Sequence, residues 1–322
     1  MEKKPVEKTN NMEQSFQKMI ETFLRPLIKK IIRSDIYRNT RNILLKRKVL
    51  AFLKNEIIRD NSDGEKNTVY TFLEKNPLSM YPYEFIKKYK PESIKVYTDN
   101  ECGMKYVLHE NKRLYFGASL TEKQIRKYYN QCLMEQDIDS PHRYEYSDFK
   151  VNVDDVVVDI GVAEGNFALS VVERVKKLYL FETDALWIDA LNKTFEPWKD
   201  KVVIINKYVS DVNTDKEVSA DVFFADCDVN FLKIDVEGGE MKVLRGAHTL
   251  FTNQNKLKIS VCTYHRQDDA KNIDNYLMSN QFLTEFSKGY MICDWDRKLS
   301  APWLRKGLIR AEKSDIFPEN PA

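Results

Sequence analysis

The stretch that decides the fold runs Val156-Val157-Val158-Asp159-Ile160-Gly161-Val162-Ala163-Glu164-Gly165-Asn166-Phe167. Its first five residues are almost wholly apolar, the pattern of a strand covered on both faces. Glycines follow, and apolar residues then recur at helical spacing over 166–175. Strand, glycine turn and helix in this order make the ligand-binding unit of an open parallel sheet, with the ligand beyond the carboxyl ends of the strands. The glycine spacing selects among ligands. A dinucleotide turn needs G-x-G-x-x-G, the middle glycine admitting a pyrophosphate. Here the pattern is G-x-x-x-G, Ala163 takes the middle place, and Glu164 adds negative charge where a pyrophosphate would lie. The turn disfavours a nicotinamide dinucleotide and suits a cationic ligand. S-adenosylmethionine has that chemistry, with an ammonium, a sulfonium and no phosphate.

Downstream, strand and helix alternate. Lys177–Phe181, Val202–Ile205, Phe231–Ile234 and Leu257–Thr263 read as strands, with helices over Asp184–Phe195, Glu240–Phe251 and Ala270–Ser279. Two further strands are expected near Met291–Cys293 and Leu308–Arg310. This alternation predicts an α/β fold with a mostly parallel sheet and helices on both faces. Within it, Asp159, Gly161, Glu164, Gly165 and Asn166 are candidates for the amino-acid end of the donor. Glu182 closes the second strand 21 residues after Gly161 and is placed to accept both ribose hydroxyl protons; a surface carboxylate or helix cap is the plainer alternative. Ser210-Asp211, after the third strand, is a candidate adenine contact, though Ser-Asp is also a common turn pair.

Upstream, residues 93–98, 104–109 and 112–116 have strand character, the last two forming a hairpin, and 120–136 reads as a helix. Residues 61–68 read as a loop. Apolar residues at helical spacing mark two helices within 12–60, one through Ile20–Ile32 and one through Leu44–Ile57. The expected organisation is a basic helical extension over 1–79, a small α+β lead-in over 80–150, and the main domain over 151–322.

The 322 residues are 43% hydrophobic and 31% charged, ample for a core and too apolar for a disordered chain. The net charge of +2 excludes a generally basic nucleic-acid binder, yet residues 1–60 hold 15 basic against 7 acidic side chains and carry +8. That arm reads either as a basic amphipathic surface for an anionic membrane or acidic partner, or as ordinary packing helices. The five cysteines include no C-x-x-C pair, so neither a zinc knuckle nor a redox motif is available. With no apolar leader and no run of about 18 apolar residues, the expectation is a cytoplasmic protein, peripheral to the inner face of a membrane if the arm docks.

Three segments together resemble the FkbM family of S-adenosylmethionine-dependent O-methyltransferases. They are Val158–Phe167; Phe231-Leu232-Lys233-Ile234-Asp235-Val236-Glu237-Gly238-Gly239-Glu240 continuing into Val243–Ala247; and Ile259–Arg266. The resemblance spans about residues 133–313. It implies a class I methyltransferase sheet of seven strands with the last antiparallel, and methylation of a hydroxyl, often on a saccharide or polyketide-type product.

Methyl transfer requires an acceptor oxygen aligned behind the methyl carbon, and an aliphatic hydroxyl needs a base to take its proton. Asp235 and Glu237 close the fourth strand and His265 the fifth, so all three can face one cleft. An imidazole with a pKa near ~6.5 is mainly neutral at cytoplasmic pH, which makes His265 the preferred base. Asp235 and Glu237 could orient it, bind acceptor hydroxyls, or ligate a divalent cation such as magnesium. His142, Arg143 and Arg266 are acceptor-side candidates. Glu240 is expected to favour the start of the helix after Gly239. The alternatives are methylation of a lipid, peptide or secondary metabolite, or a non-catalytic module that binds the donor only. Intact Asp159, Gly161, Glu182, Glu237 and His265 weigh against the latter.

Overall fold

The computed structural model describes residues 35–59 and 63–313; the expected helix through Ile20–Ile32 lies outside them. The described chain opens with α1 (Asp35–Arg59) and α2 (Gly64–Lys75). The expected loop at 61–68 is therefore already helical from Gly64. Asp63 caps the helix by accepting the Lys66 amide at 3.0 Å, and Val69, Phe72 and Leu73 supply its buried face. α1 and α2 bury Val49, Leu53, Phe72 and Leu73 together with Ile292 and Leu304, so the N-terminal helices share a core with a loop from the far end of the chain.

A small antiparallel sheet follows: β1 (Tyr97–Thr98), β2 (Lys105–His109) and β3 (Lys112–Phe116). Glu110 and Asn111, with φ of 49° and 66°, make the two-residue left-handed turn that suits hairpin twist. The strand expected from 93 is reduced to Tyr97–Thr98, because Pro91–Ser93 forms a 3₁₀ turn. α3 (Glu122–Glu135) is fixed by a capping box between Thr121 and Gln124.

The main sheet comprises β4 (Val156–Ile160), β5 (Lys177–Phe181), β6 (Val202–Ile205), β9 (Phe231–Ile234), β10 (Lys258–Cys262), β11 (Phe282–Phe286) and β12 (Leu308–Lys313). Two short strands, β7 (Tyr208–Val209) and β8 (Glu217–Val218), pair outside it. The strand order is β11-β12-β10-β9-β4-β5-β6, and β12 runs antiparallel to both neighbours. Helices α4 (Asn166–Val171), α5 (Ala185–Phe195), α6 (Ala220–Phe223), α7 (Glu240–Arg245), α8 (His248–Asn253) and α9 (Asp269–Ser279) complete the layers. Two hydrophobic clusters cover the two faces of the sheet, one around Val157, Leu178 and Phe231, the other around Val158, Leu232 and Ile259. The seven-stranded α/β sheet with one antiparallel strand is as the sequence led us to expect.

Three details differ. The helix expected over 240–251 is split at Gly246, where a Cβ would lie 2.0 Å from the Ser210 carbonyl. The strand expected near 291–293 is one isolated bridge between Met291 and Arg305, while β11 forms earlier. The helix expected to reach 175 ends at Val171.

The strand order reverses between β4 and β9, where crossovers leave to opposite sides. In register, Ile160 pairs with both Phe181 and Ile234, and Val261 with Ile234. The residues just past these positions therefore emerge along one edge, at the switch point where such sheets bind ligands. Among the described residues no helix is long and apolar enough to cross a membrane.

Candidate active site

A cavity of ≈ 490 Å³ opens at that edge, lined by Gly161, Ala163, Glu182, Ser210, Asp235 and Glu237 among others. Its β4 side is a backbone construction. Gly161 has φ 78°, and a Cβ there would lie 1.8 Å from the Asp235 carbonyl oxygen, so the turn passes directly against the neighbouring strand end. Ala163 is also left-handed, at φ 49°. Glu182 ties this turn to β5. Its Oε2 accepts the Ala163 amide at 2.8 Å, and its Oε1 accepts the Thr183 and Asp184 amides at 2.7 Å each.

Beneath the turn, Lys233 and Asp159 form an ion pair at 2.9 Å, with side chains 4% and 1% exposed. The Lys233 ammonium also donates to the Gly161 carbonyl at 2.5 Å. Burial works against this charge, but Asp159 and Asp235 outweigh it and hold the lysine protonated. Asp159 thus faces Lys233 and does not line the cavity. Glu164 is turned the other way, accepting the Cys132 thiol at 3.0 Å, and burial raises its carboxyl pKa. Gly165 makes the left-handed entry to α4 at φ 85°. Asn166 is buried and accepts the Phe167 amide. Ser210 lines the cavity, whereas Asp211 points outward to Arg245 at 2.9 Å.

On the β9 side the site is made of side chains. Asp235 accepts the Tyr144 hydroxyl at 2.8 Å and lies 3.4 Å from the Tyr264 hydroxyl. The imidazoles of His142 and His265 approach it at 3.6 and 3.5 Å. Burial opposes its ionisation, but His142, the Lys233 ammonium and His265 together hold the carboxyl well below the usual carboxylate range. His265 contacts Glu240 through Nδ1 at 2.8 Å, and its Nε2 lies 3.6 Å from Glu237. Burial disfavours the charged ring, yet Glu240, Asp235 and Glu237 prevail and its pKa rises to about 8. The expectation of a mainly neutral imidazole at neutral pH is corrected accordingly: three carboxylates surround it. Glu240 does more than favour a helix start. Its Oε1 accepts the Val236 and Gly238 amides at 3.1 and 3.2 Å, pinning the turn that presents Asp235 and Glu237. Glu237 occupies that turn at φ 55°, left-handed for a non-glycine residue.

The tandem His142-Arg143 separates. His142 is 1% exposed and joins Asp235, while Arg143 donates to the carbonyls of Glu145 and Gln136 and lines a different, 440 Å³ groove. Arg266 is exposed beside Gly238. Sequence reasoning missed Lys233, Tyr144, Tyr264 and Glu240. The lysine carried a signal, as a lone charge inside a four-residue strand that is otherwise apolar. The tyrosines carried none, because their roles depend on which segments meet.

This strand order, with the glycine turn and two acid-bearing strand ends on one cavity, defines a class I methyltransferase fold. Residues 159–290 match the family described as the methyltransferase FkbM domain. That match implies S-adenosylmethionine as the methyl donor in general. Among solved structures, the chain is similar to the FkbM methyltransferase of Methylobacillus flagellatus, with 16% identity and a TM-score of 0.41, covering 60% of this chain and 53% of that one. It thus spans about half the length of that relative. It is also similar to a precorrin-6y C5,15-methyltransferase from Geobacter metallireducens (12% identity, TM-score 0.37, 62% and 94% covered). A third is a putative RNA methyltransferase from Pyrococcus horikoshii (16%, 0.32, 50% and 76%). No curated protein matches the chain.

Proposed function

We propose that this chain transfers a methyl group from S-adenosylmethionine to a hydroxyl of a saccharide or glycoconjugate precursor. The observation that carries the reading is a single cavity joining the Gly161 turn and Glu182 to Asp235 and Glu237. The residues fit such a donor: the Gly161–Ala163 turn and the Glu182 carboxylate face the cavity together. Gly161, Ala163, Glu182 and Ser210 would hold it, with Glu182 Oε2, which accepts a single amide, available to a ribose hydroxyl. When bound, the donor supplies an electrophilic methyl group. Asp235 and Glu237 line the cavity and His265 stands behind them, so the cluster orients the acceptor hydroxyl and Glu237, the exposed carboxylate, is placed to take its proton. The two carboxylates at the cavity wall, Asp235 and Glu237, suit the hydroxyl-rich surface of a sugar.

The test is turnover with methyl-labelled donor against purified cell-surface glycan precursors, with lipid, peptide and small-molecule acceptors alongside. Label in a sugar methyl ether supports the reading. Label only in a lipid, peptide or small metabolite overturns the acceptor class. Donor binding with no transfer to any acceptor favours the non-catalytic module.

A further inference from the structure

His265 has more negative charge around it than one imidazole balances. Asp235, Glu237 and Glu240 all approach its ring, at 3.5, 3.6 and 2.8 Å. The nearest cation to Asp235 besides the histidines is Lys233, already paired with Asp159. The two ring nitrogens are not equivalent. Nδ1 meets Glu240, which is 1% exposed and anchored by the turn amides, so this side of the ring is fixed. Neither ring nitrogen makes a well-formed hydrogen bond although the side chain is only 5% exposed, and at Nε2 the two remaining carboxylates stand off at 3.5 and 3.6 Å. We propose that Asp235, Glu237 and His265 bind one divalent cation, through a carboxylate oxygen of each acid and Nε2 of the imidazole, with Glu240 orienting the ring.

Three observations carry this. Ligands bonded at ~2.1 Å to one ion stand roughly 3.0–3.4 Å apart for angles between 90° and 110°, so the 3.5 and 3.6 Å spacings from Nε2 need to close by only a few tenths of an ångström, and the Glu237 carboxylate must also swing up to Asp235. Glu237 can supply that movement, being 91% exposed at the cavity. Second, a metal-binding histidine commonly gives its other nitrogen to a carboxylate that fixes the ring, which is the place Glu240 holds. Third, Asp235 and Glu237 both line the cavity, so the ion keeps open positions toward it. Oxygen with one imidazole nitrogen suits Mn²⁺ or Mg²⁺ and admits Zn²⁺. Ligand atoms of Asp235, Glu240 and His265 lie within 4.8 Å of one another, and so do those of His142, Cys262 and Asp235. That trio is the weaker candidate, because Cys262 is fully buried and burial raises its thiol pKa, away from the thiolate a metal needs. The proposal goes beyond the methyl-transfer reading. An ion here would act as a Lewis acid on an acceptor oxygen.

The test is Mn²⁺ titration of the full-length, chelator-treated protein, with free Mn²⁺ followed by electron paramagnetic resonance. Donor affinity of the same metal-free sample is measured by calorimetry, so that failure of the donor reading stays separate. One Mn²⁺ per chain, displaced by excess Mg²⁺ or Zn²⁺, is expected. Glu237→Gln and His265→Ala should each weaken it at least ~10-fold, and Glu240→Gln by ~10–100-fold. Glu237 is exposed, so its variant keeps the wild-type melting temperature and guards against misfolding as an explanation. Absence of stoichiometric uptake up to millimolar Mn²⁺, or wild-type affinity in both Glu237→Gln and His265→Ala, would overturn the site and leave an imidazolium balanced by carboxylates.

Discussion

At the ends of β4 and β5 the site is made of backbone: left-handed turn residues, amides gathered by Glu182, and a glycine pressed against the next strand. At the ends of β9 and β10 it is made of side chains brought from separate segments, with Tyr144 and His142 from the lead-in and Tyr264 and His265 from the loop after β10 all meeting Asp235. The difference teaches where sequence reasoning has purchase. A backbone site is encoded in consecutive residues and a few glycines. A side-chain site is encoded in the topology that brings distant residues together. Lys233 belongs to both, since it carries the glycine turn through Gly161 and pairs with Asp159 below Asp235.

The sharpest way to break the contrast is therefore Lys233→Met. It leaves Asp159 buried without a partner and should cost about 3–5 kcal/mol of stability, read as a shifted urea midpoint. A loss under about 1 kcal/mol would mean that the two halves do not share this support. Next comes Asp235→Asn. Turnover should fall by ~10²–10⁴-fold while donor affinity changes little, because the change lies in the side-chain half. Equal losses of donor binding and turnover would erase the division between the halves.

Glu182→Ala probes the backbone half. Removing hydrogen bonds to a charged group is worth about 1.5–3 kcal/mol, so donor affinity measured by calorimetry should drop ~10–100-fold. Unchanged affinity would remove the ribose assignment. A comparable effect is expected at Glu135, whose carboxyl burial raises from 4.5 to about 7, with Glu164 and Asp235 adding to the shift against His142. A carboxyl that binds its proton more tightly when folded makes stability fall as pH rises from about 4.5 through about 7. Glu135→Gln should remove a decline of up to about 3 kcal/mol across that window in pH-dependent melting. A profile identical to wild type would show that the buried acid is already ionised. The smallest effect belongs to Asp211→Asn, whose exposed pair with Arg245 should be worth under ~1 kcal/mol and leave donor affinity unchanged.

The sequence by itself determined the sheet, the glycine turn, and the acids that close its strands. Apolar runs of four or five residues, their alternation with helical periodicity, and the glycine spacing are all local, and local patterns survive in one dimension. The places where it misled were also local in cause. The Asp63 cap made a helix of an Asn- and Gly-containing stretch, and the close approach of the Ser210 carbonyl cut one helix into two at Gly246. Only the tertiary structure decided which candidates meet. It put Asp159 under the turn with Lys233, turned Glu164 to Cys132 and Asp211 to Arg245, and buried His142 against Asp235 while sending Arg143 to a separate groove. It also surrounded His265 with three carboxylates and raised its pKa to about 8. These outcomes depend on distances of a few ångströms between residues far apart in the chain, and on how much water burial removes between them. Neither quantity is written in the order of the residues until the chain has folded.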